Sequence, residues 1–294
     1  MAAYTIENEK LSVTIDAHGA ELSSIYYKEN DRELIWQADA AFWNRHAPVL
    51  FPNVGKYYGG HFTYNGKAYP MGQHGFARDT EFEQIAAGED FVTYRLCADE
   101  ESKKKYPFDF VLEITHRLEN NRLSVEWNVK NVDDKEMYFT IGGHPAFNVN
   151  ILPDTDFEDY SLVFKEGIET LSYILIDAEN GTALTDKTYK LELTNSKYAL
   201  KKDMFDKDAL IFDNGQIEWV GLALPNGKPY IALESKNFPN FGIWSKPGAP
   251  YVCLEPWCGR CDNKGFHGEI SEKPGINTLK AGEVFKKSYD IIVY

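Results

Sequence analysis

Phe110-Val-Leu-Glu-Ile-Thr-His-Arg-Leu-Glu-Asn-Asn-Arg-Leu-Ser-Val-Glu-Trp-Asn-Val129 decides the fold class. Phe110, Leu112, Ile114 and Leu118 alternate with polar neighbours. Asn120-Asn121 then supplies a turn, and Leu123, Val125, Trp127 and Val129 resume the alternation against Ser124, Glu126 and Asn128. A period of two places every second side chain on one face of a strand, so the stretch predicts a half-buried antiparallel hairpin.

The same period governs the rest of the chain. Leu11, Val13 and Ile15 alternate with Ser12 and Thr14, and Tyr160-Ser-Leu-Val-Phe164 has strand character within a more acidic segment. Short apolar runs recur at 218–224, 229–234, 241–244, 250–254 and 289–293, punctuated by Gly, Pro and Asn. Helical periodicity is almost absent, and the one helix expected is a short one around 197–206. The expected fold is all-β, a large antiparallel β-sandwich. No linker, low-complexity stretch or repeat of 20–50 residues divides the chain, so residues 1–294 are expected to form one domain.

Composition narrows the function. The 294 residues carry 31 Lys and Arg against 45 Asp and Glu, a formal net charge of −14. A nucleic-acid binder or a ligand of anionic membranes needs the opposite sign, so neither partner is expected. No apolar run of about 18 residues exists to span a bilayer. The opening Met1-Ala-Ala-Tyr-Thr-Ile-Glu-Asn-Glu9 lacks the basic and apolar regions of a signal peptide, and a soluble cytoplasmic setting is expected. Three of the four cysteines, Cys253, Cys258 and Cys261, are bunched near the end. The C-x2-C pair 258/261 has no second pair and no paired histidines to complete a zinc site, and no βαβ setting for redox chemistry. Reduced, packed cysteines are expected there.

Residues able to move protons are few. Of seven histidines, His18, His46, His61, His116 and His267 lie among ordinary turn and strand residues, where surface or hydrogen-bonded structural roles are expected. His74 differs, because small residues flank it in Tyr69-Pro-Met-Gly-Gln-His-Gly-Phe-Ala-Arg-Asp79 and let a substrate approach the backbone closely. His144 stands between glycine and proline in Ile141-Gly-Gly-His-Pro-Ala-Phe-Asn148. Glu255 follows the apolar Tyr251-Val-Cys-Leu254, and is expected at a strand end before a break at Pro256-Trp257. An acid so placed is costly unless paired, which makes it either functional or part of a structural ion pair. Dinucleotide, Walker, serine-hydrolase and zinc-protease motifs are missing from the sequence. Two histidines, an acid and a 14% aromatic content suit a sugar, with its apolar faces and hydroxyl edges. Most of those rings are nevertheless core.

Together these motifs resemble the aldose 1-epimerase (galactose mutarotase) family in its shorter bacterial branch. Gly19-Ala-Glu-Leu-Ser-Ser-Ile25, Ala47-Pro-Val-Leu-Phe-Pro-Asn-Val-Gly-Lys56, Gln73-His-Gly-Phe-Ala-Arg78, Gly143-His-Pro-Ala-Phe-Asn148 and Cys253-Leu-Glu-Pro-Trp257 carry the likeness, in order and nearly end to end. The resemblance implies a β-sandwich. It makes Glu255 the base on the anomeric hydroxyl and His144 the proton donor to the ring oxygen, with His74 matching the first active-site histidine. Lys56 falls where many members carry an arginine that binds sugar hydroxyls; the charge survives and the planar fork does not. Gln73 and Arg78 join it as substrate-binding candidates. The family also binds sugar hydroxyls through an aspartate, for which the resemblance offers Asp208, in Phe205-Asp-Lys-Asp-Ala-Leu-Ile211, as the candidate and Asp206 as its alternative.

The implied reaction interconverts the α and β anomers of a free aldohexose, with acid and base on opposite sides of the sugar. No metal or organic cofactor is implied, and the protein would act as a monomer or homodimer. Two rivals stay open. A hexose 6-phosphate could be the substrate, clamped by Arg78 with Arg45 or Lys56, although the net charge gives an anion no global attraction. Alternatively the sandwich binds sugar without catalysis, but a pure binder needs no acid–base pair.

Overall fold

A computed structural model describes residues 3–294. The diagnostic hairpin forms as its alternation requires. Phe110–Glu119 pairs antiparallel with Arg122–Asn131 from Phe110↔Asn131 to Glu119↔Arg122, and Asn120 takes the turn at a φ of 54°. Its apolar side chains are buried and their neighbours largely are not. Each large side chain removed from water contributes roughly 1.5–3 kcal/mol, so a one-residue slip of register, which would expose the whole set, is strongly disfavoured.

The hairpin lies inside a nine-stranded antiparallel sheet. From one edge the order is Lys197–Ala199, Ser161–Phe164, Trp219–Ala223, Pro229–Glu234, Val284–Val293, Arg122–Asn131, Phe110–Glu119, Phe91–Cys97 and Glu83–Ala87. Facing it is an eight-stranded sheet. Its path runs Thr182–Glu192, Thr170–Asp177, Leu210–Asp213, Asn240–Trp244, Tyr251–Cys258, Ile141–Gly143 and Val49–Leu50, with Ala146–Asn148 also pairing to Tyr251–Cys258. A four-stranded sheet from the N-terminal segment, Tyr4–Glu7 to Arg32–Glu33, adds to the core through Ile6, Val13, Ile15 and Ile25. Leu112, Ile114, Trp127 and Val129 from the first large sheet share one apolar cluster with Phe241, Ile243, Val252 and Leu254 from the second. The two large sheets therefore pack face to face as a sandwich. Among the described residues no helix is long and apolar enough to cross a membrane.

Two local expectations are corrected. The segment 197–206 is not a helix: Lys197–Ala199 is an edge strand, followed by turns. The α-helix lies instead at Glu100–Lys105, where periodicity is too short to register and the end groups decide. Asp99 caps it through the Ser102 N–H, with Glu100 and Glu101 in the first turn and three lysines in the last, complementing the helix dipole. The strand carrying Glu255 does not break at Pro256 but runs on to Cys258.

The break falls in its neighbour. Ile141–Gly143 pairs with Trp257 and Cys258, and Ala146–Asn148 pairs with Tyr251 to Cys253, so His144-Pro145 interrupts the neighbour opposite Leu254-Glu255-Pro256. Proline has no N–H for a ladder, and Pro256 faces the interruption on this side while pairing with Phe241 on the other.

Candidate active site

Tyr251–Cys258 is buried on both faces. Val252 and Leu254 point into the core between the sheets, whereas Tyr251, Cys253, Glu255 and Trp257 share the opposite face by strand alternation. Room for the Trp257 indole comes from glycines on both neighbouring strands. A Cβ at Gly142 would lie 2.4 Å from the ring and one at Gly242 would lie 2.3 Å from it. Glu255 and Trp257 from this face line a cavity of about 420 Å³, while Tyr251 and Cys253 pack into an adjoining apolar cluster.

The interruption of the neighbouring strand lets His144 turn toward Glu255, and Nε2 of the imidazole stands 3.2 Å from the Glu255 Oε2. Both side chains are almost wholly buried, at 9% and 2% exposure. Trp43 lies against the imidazole at a ring separation of 4.9 Å, and Trp244 meets it edge-on at 5.7 Å. Burial penalises charge on both groups. It pushes the His144 imidazole down to about 3, with Arg78 and Arg45 adding to the effect. It also pushes the Glu255 carboxyl well above its ordinary value, and nearby Asp208 adds to that. The pair is thereby set to hold one proton between them, rather than an isolated carboxylate and an isolated imidazolium.

His74 completes the group, with its ring perpendicular to His144 and the centroids 5.6 Å apart. It occupies a left-handed backbone conformation, φ 67°, held by a reciprocal clamp: His74 N–H donates to the Gly55 carbonyl at 2.8 Å, and Gly55 N–H donates to His74 Nδ1 at 3.0 Å. Gly75 beside it is required, because φ is +70° and a Cβ there would lie 2.2 Å from the Phe51 carbonyl oxygen. With Nδ1 accepting, neutral His74 carries its hydrogen on Nε2 and presents a donor. Desolvation, followed by the charges of His144, Arg78, Arg45 and Lys56, keeps it neutral. The Gln73 side-chain nitrogen stands 3.2 Å from that Nε2; with hydrogen on both nitrogens, the amide has to turn its oxygen there to accept.

The remaining sequence candidates line the same cavity: Lys56, Gln73, Arg78 and Asp208 all do, and Asp206 does not. Lys56 makes no ion pair among the described residues, and its backbone carbonyl is fixed by the Asp262 N–H at 3.0 Å. Asp262 is itself anchored by a fully buried ion pair with Lys273 at 2.5 Å. Arg78 donates to the Gln73 carbonyl at 2.8 Å and lies 3.7 Å from Asp79, the carboxylate that also pairs with Arg45 at 2.6 Å. Sequence reasoning missed Trp43, Trp244 and Asp177, which also line the cavity. Trp43 and Arg45 belong to a loop whose only sequence signal is distant. Glu21, within the Gly19–Ile25 motif quoted above, accepts from His46 N–H at 2.7 Å and Ala47 N–H at 2.8 Å and so holds that loop.

The other histidines divide differently from expectation. His18 contacts Glu81 at the surface, and His46 bonds the Trp36 carbonyl. His116 is neither exposed nor satisfied: it is buried in the core on the hairpin strand, with no hydrogen-bond partner at Nδ1. The four cysteines are free thiols; Cys258 and Cys261 are buried, and Cys97 is exposed.

A buried acid and imidazole at hydrogen-bonding distance, beside a cavity with a tryptophan and polar side chains in its walls, form an arrangement able to move a proton to and from a bound molecule. Comparison with known proteins gives the chain its family. The aldose 1-epimerase family model matches residues 2–291. A galactose mutarotase related enzyme from Lactobacillus acidophilus superposes with a TM-score of 0.94 at 36% identity, over 99% of this chain and 97% of that one. A galactose mutarotase-like protein from Lactobacillus casei ATCC 334 gives 0.90 at 33% identity, with both chains covered completely. The plasmid-encoded protein LacX of Lactococcus lactis subsp. lactis is 31% identical over 98% of each chain. The chain belongs to the aldose 1-epimerase family and is an isomerase of the mutarotase type.

Proposed function

We propose that this isomerase interconverts the α and β anomers of a free aldohexose, with Glu255 and His144 as the proton-transfer pair. The observation that carries the reading is their 3.2 Å separation in a buried site. Ring opening must remove a proton from the C1 hydroxyl and deliver one to the ring oxygen. Those oxygens are bonded to the same carbon, so acid and base belong side by side, not on opposite sides of the sugar as the sequence reading expected. Glu255 takes the hydroxyl proton while His144 donates to the ring oxygen. Rotation about C1–C2 and closure on the other face then run the two transfers backwards. Each group contributes typically ~10²–10⁴-fold. Contact between the two lets their single proton settle on His144 when the sugar binds. His74 Nε2–H, Lys56, Gln73 and Asp208 hold hydroxyls, and the tryptophans cover the apolar faces of the ring. A single apolar cluster running from Ile6 to Val293 supports the chain's acting as one domain.

One observation favours a second substrate, a hexose 6-phosphate: Arg45, Lys56 and Arg78 all line the cavity, and Lys56 has no acidic partner among the described residues. Asp177 and Asp208 on the same walls, and two arginines already sharing Asp79, favour the neutral sugar. Polarimetry decides. Freshly dissolved α-glucose, α-galactose and their 6-phosphates are followed to equilibrium rotation with and without enzyme. Acceleration is expected for the free sugars. A preference for phosphosugars selects the second substrate, and no acceleration for any sugar overturns catalysis.

A further inference from the structure

The proton-transfer pair has a third neighbour that mutarotation does not use. Cys253 shares one face of Tyr251–Cys258 with Glu255, and its reduced thiol is completely buried. One donor atom each from His144, Cys253 and Glu255 all lie within 4.8 Å of one another. Apart from the His144 imidazole at 3.2 Å, the buried Glu255 Oε2 has no hydrogen-bonding partner.

We infer that His144, Cys253 and Glu255 form an inhibitory site for a soft divalent cation such as Zn²⁺, which competes with the sugar. Around one tetrahedral Zn²⁺, with bonds of ~2.0–2.3 Å, neighbouring donors stand roughly 3.3–3.8 Å apart. The His144–Glu255 approach of 3.2 Å already fits such an edge. The three donor atoms, within 4.8 Å of one another, have to draw in by about 1 Å at most for the thiol sulfur to complete the set. One thiolate, one carboxylate and one neutral imidazole balance the ion's two charges, which matters where water is excluded. Two protons leave on binding: one from the thiol and the one shared by His144 and Glu255. Three protein ligands leave a fourth position for water, and two of them, His144 and Glu255, line the cavity from which the ion would enter. While it is bound, neither His144 nor Glu255 can exchange a proton with substrate. The effect on activity rests on the proposed catalytic pair, whereas metal binding does not.

The test uses Co²⁺ as a spectroscopic stand-in for Zn²⁺ on the reduced protein, because thiolate ligation adds an intense near-ultraviolet charge-transfer band. The band is expected in the wild type and in Cys97→Ser, is lost in Cys253→Ala, and is suppressed by saturating sugar. In buffered Zn²⁺ the wild type should lose mutarotation, and a chelator should restore it. Loss of even an outer partner of a metal ligand weakens binding ~10–100-fold, so Cys253→Ala should need roughly tenfold more Zn²⁺ or higher for the same inhibition. Should Cys253→Ala fold poorly, Glu255→Gln must weaken Co²⁺ binding on its own. A missing band in the wild type, a band that persists in Cys253→Ala, or unchanged Zn²⁺ sensitivity in that variant overturns the site. If no sugar is turned over at all, the Co²⁺ titration still decides metal binding, independently of the catalytic reading.

Discussion

Two histidines, His144 and His116, are buried to a similar extent, and desolvation pushes each imidazole down to about 3. His116 sits in the middle of a regular strand and faces the inter-sheet core beside Trp127, Gly143 and Tyr289. His144 sits where its strand is interrupted, 3.2 Å from a carboxyl and beside a cavity that admits a ligand. A depressed imidazole is therefore a consequence of burial in both places and by itself signifies no catalysis. The acid partner and the open cavity distinguish the two.

Removing that partner is the severest test. Glu255→Gln preserves shape and hydrogen-bonding reach but cannot accept the proton, and should cut kcat by ~10²–10⁴-fold in polarimetric assays while sugar binding persists. Near-normal turnover would erase the distinction between the two histidines.

The next effect belongs to His116 and is read as stability against pH. Its folded value of about 3 lies below the unfolded value near 6.5, so the unfolded chain binds the extra proton between those limits. The resulting stability is fully present above about pH 6.5 and is lost as pH falls toward 3, by up to ~1.4 kcal/mol per unit. His116→Leu should flatten that slope in denaturant titrations at pH 4–6 and leave kcat at neutral pH unchanged. His144 is a poorer reporter, because the raised Glu255 carboxyl works in the opposite sense. A fall in kcat with His116→Leu would mean the core histidine is coupled to the site.

A smaller effect probes the cavity wall. A Cβ at Gly242 would stand 2.3 Å from the Trp257 ring, so Gly242→Ala should cost ~1–3 kcal/mol of stability and raise KM, as thermal melts and sugar titrations will read. An unchanged melt and KM would show that the indole yields without disturbing Glu255. The smallest effect is expected at Arg78. Losing its bond to the Gln73 carbonyl should cost about 1 kcal/mol in thermal melts and keep free hexoses ahead of their 6-phosphates in kcat/KM. A phosphosugar preference that collapses in Arg78→Ala would move the substrate reading to the anion.

Much of this was legible because it is local. Alternation from Phe110 to Val129 dictates which side chains must be covered, and the apolar runs at 218–224, 229–234 and 289–293 mark strands by the same physics. His74, His144 and Glu255 were legible as candidates because glycine and proline flank them or an apolar strand precedes them. The Glu100–Lys105 helix escaped because its six residues are polar, none of them is buried, and they leave no apolar stripe to read. Trp43 and Trp244 escaped because an aromatic wall of a cavity looks like core in sequence.

Local alternation and turn residues thus determined a sandwich of antiparallel sheets, since burying one face of each strand leaves little else. Only the tertiary structure decided that Glu255 lies mid-strand, that the break falls at His144-Pro145 in its neighbour, and that Asp208 rather than Asp206 reaches the cavity. Those facts depend on the register between strands more than a hundred residues apart. Long-range hydrogen-bonded pairing leaves no periodic trace in either strand alone.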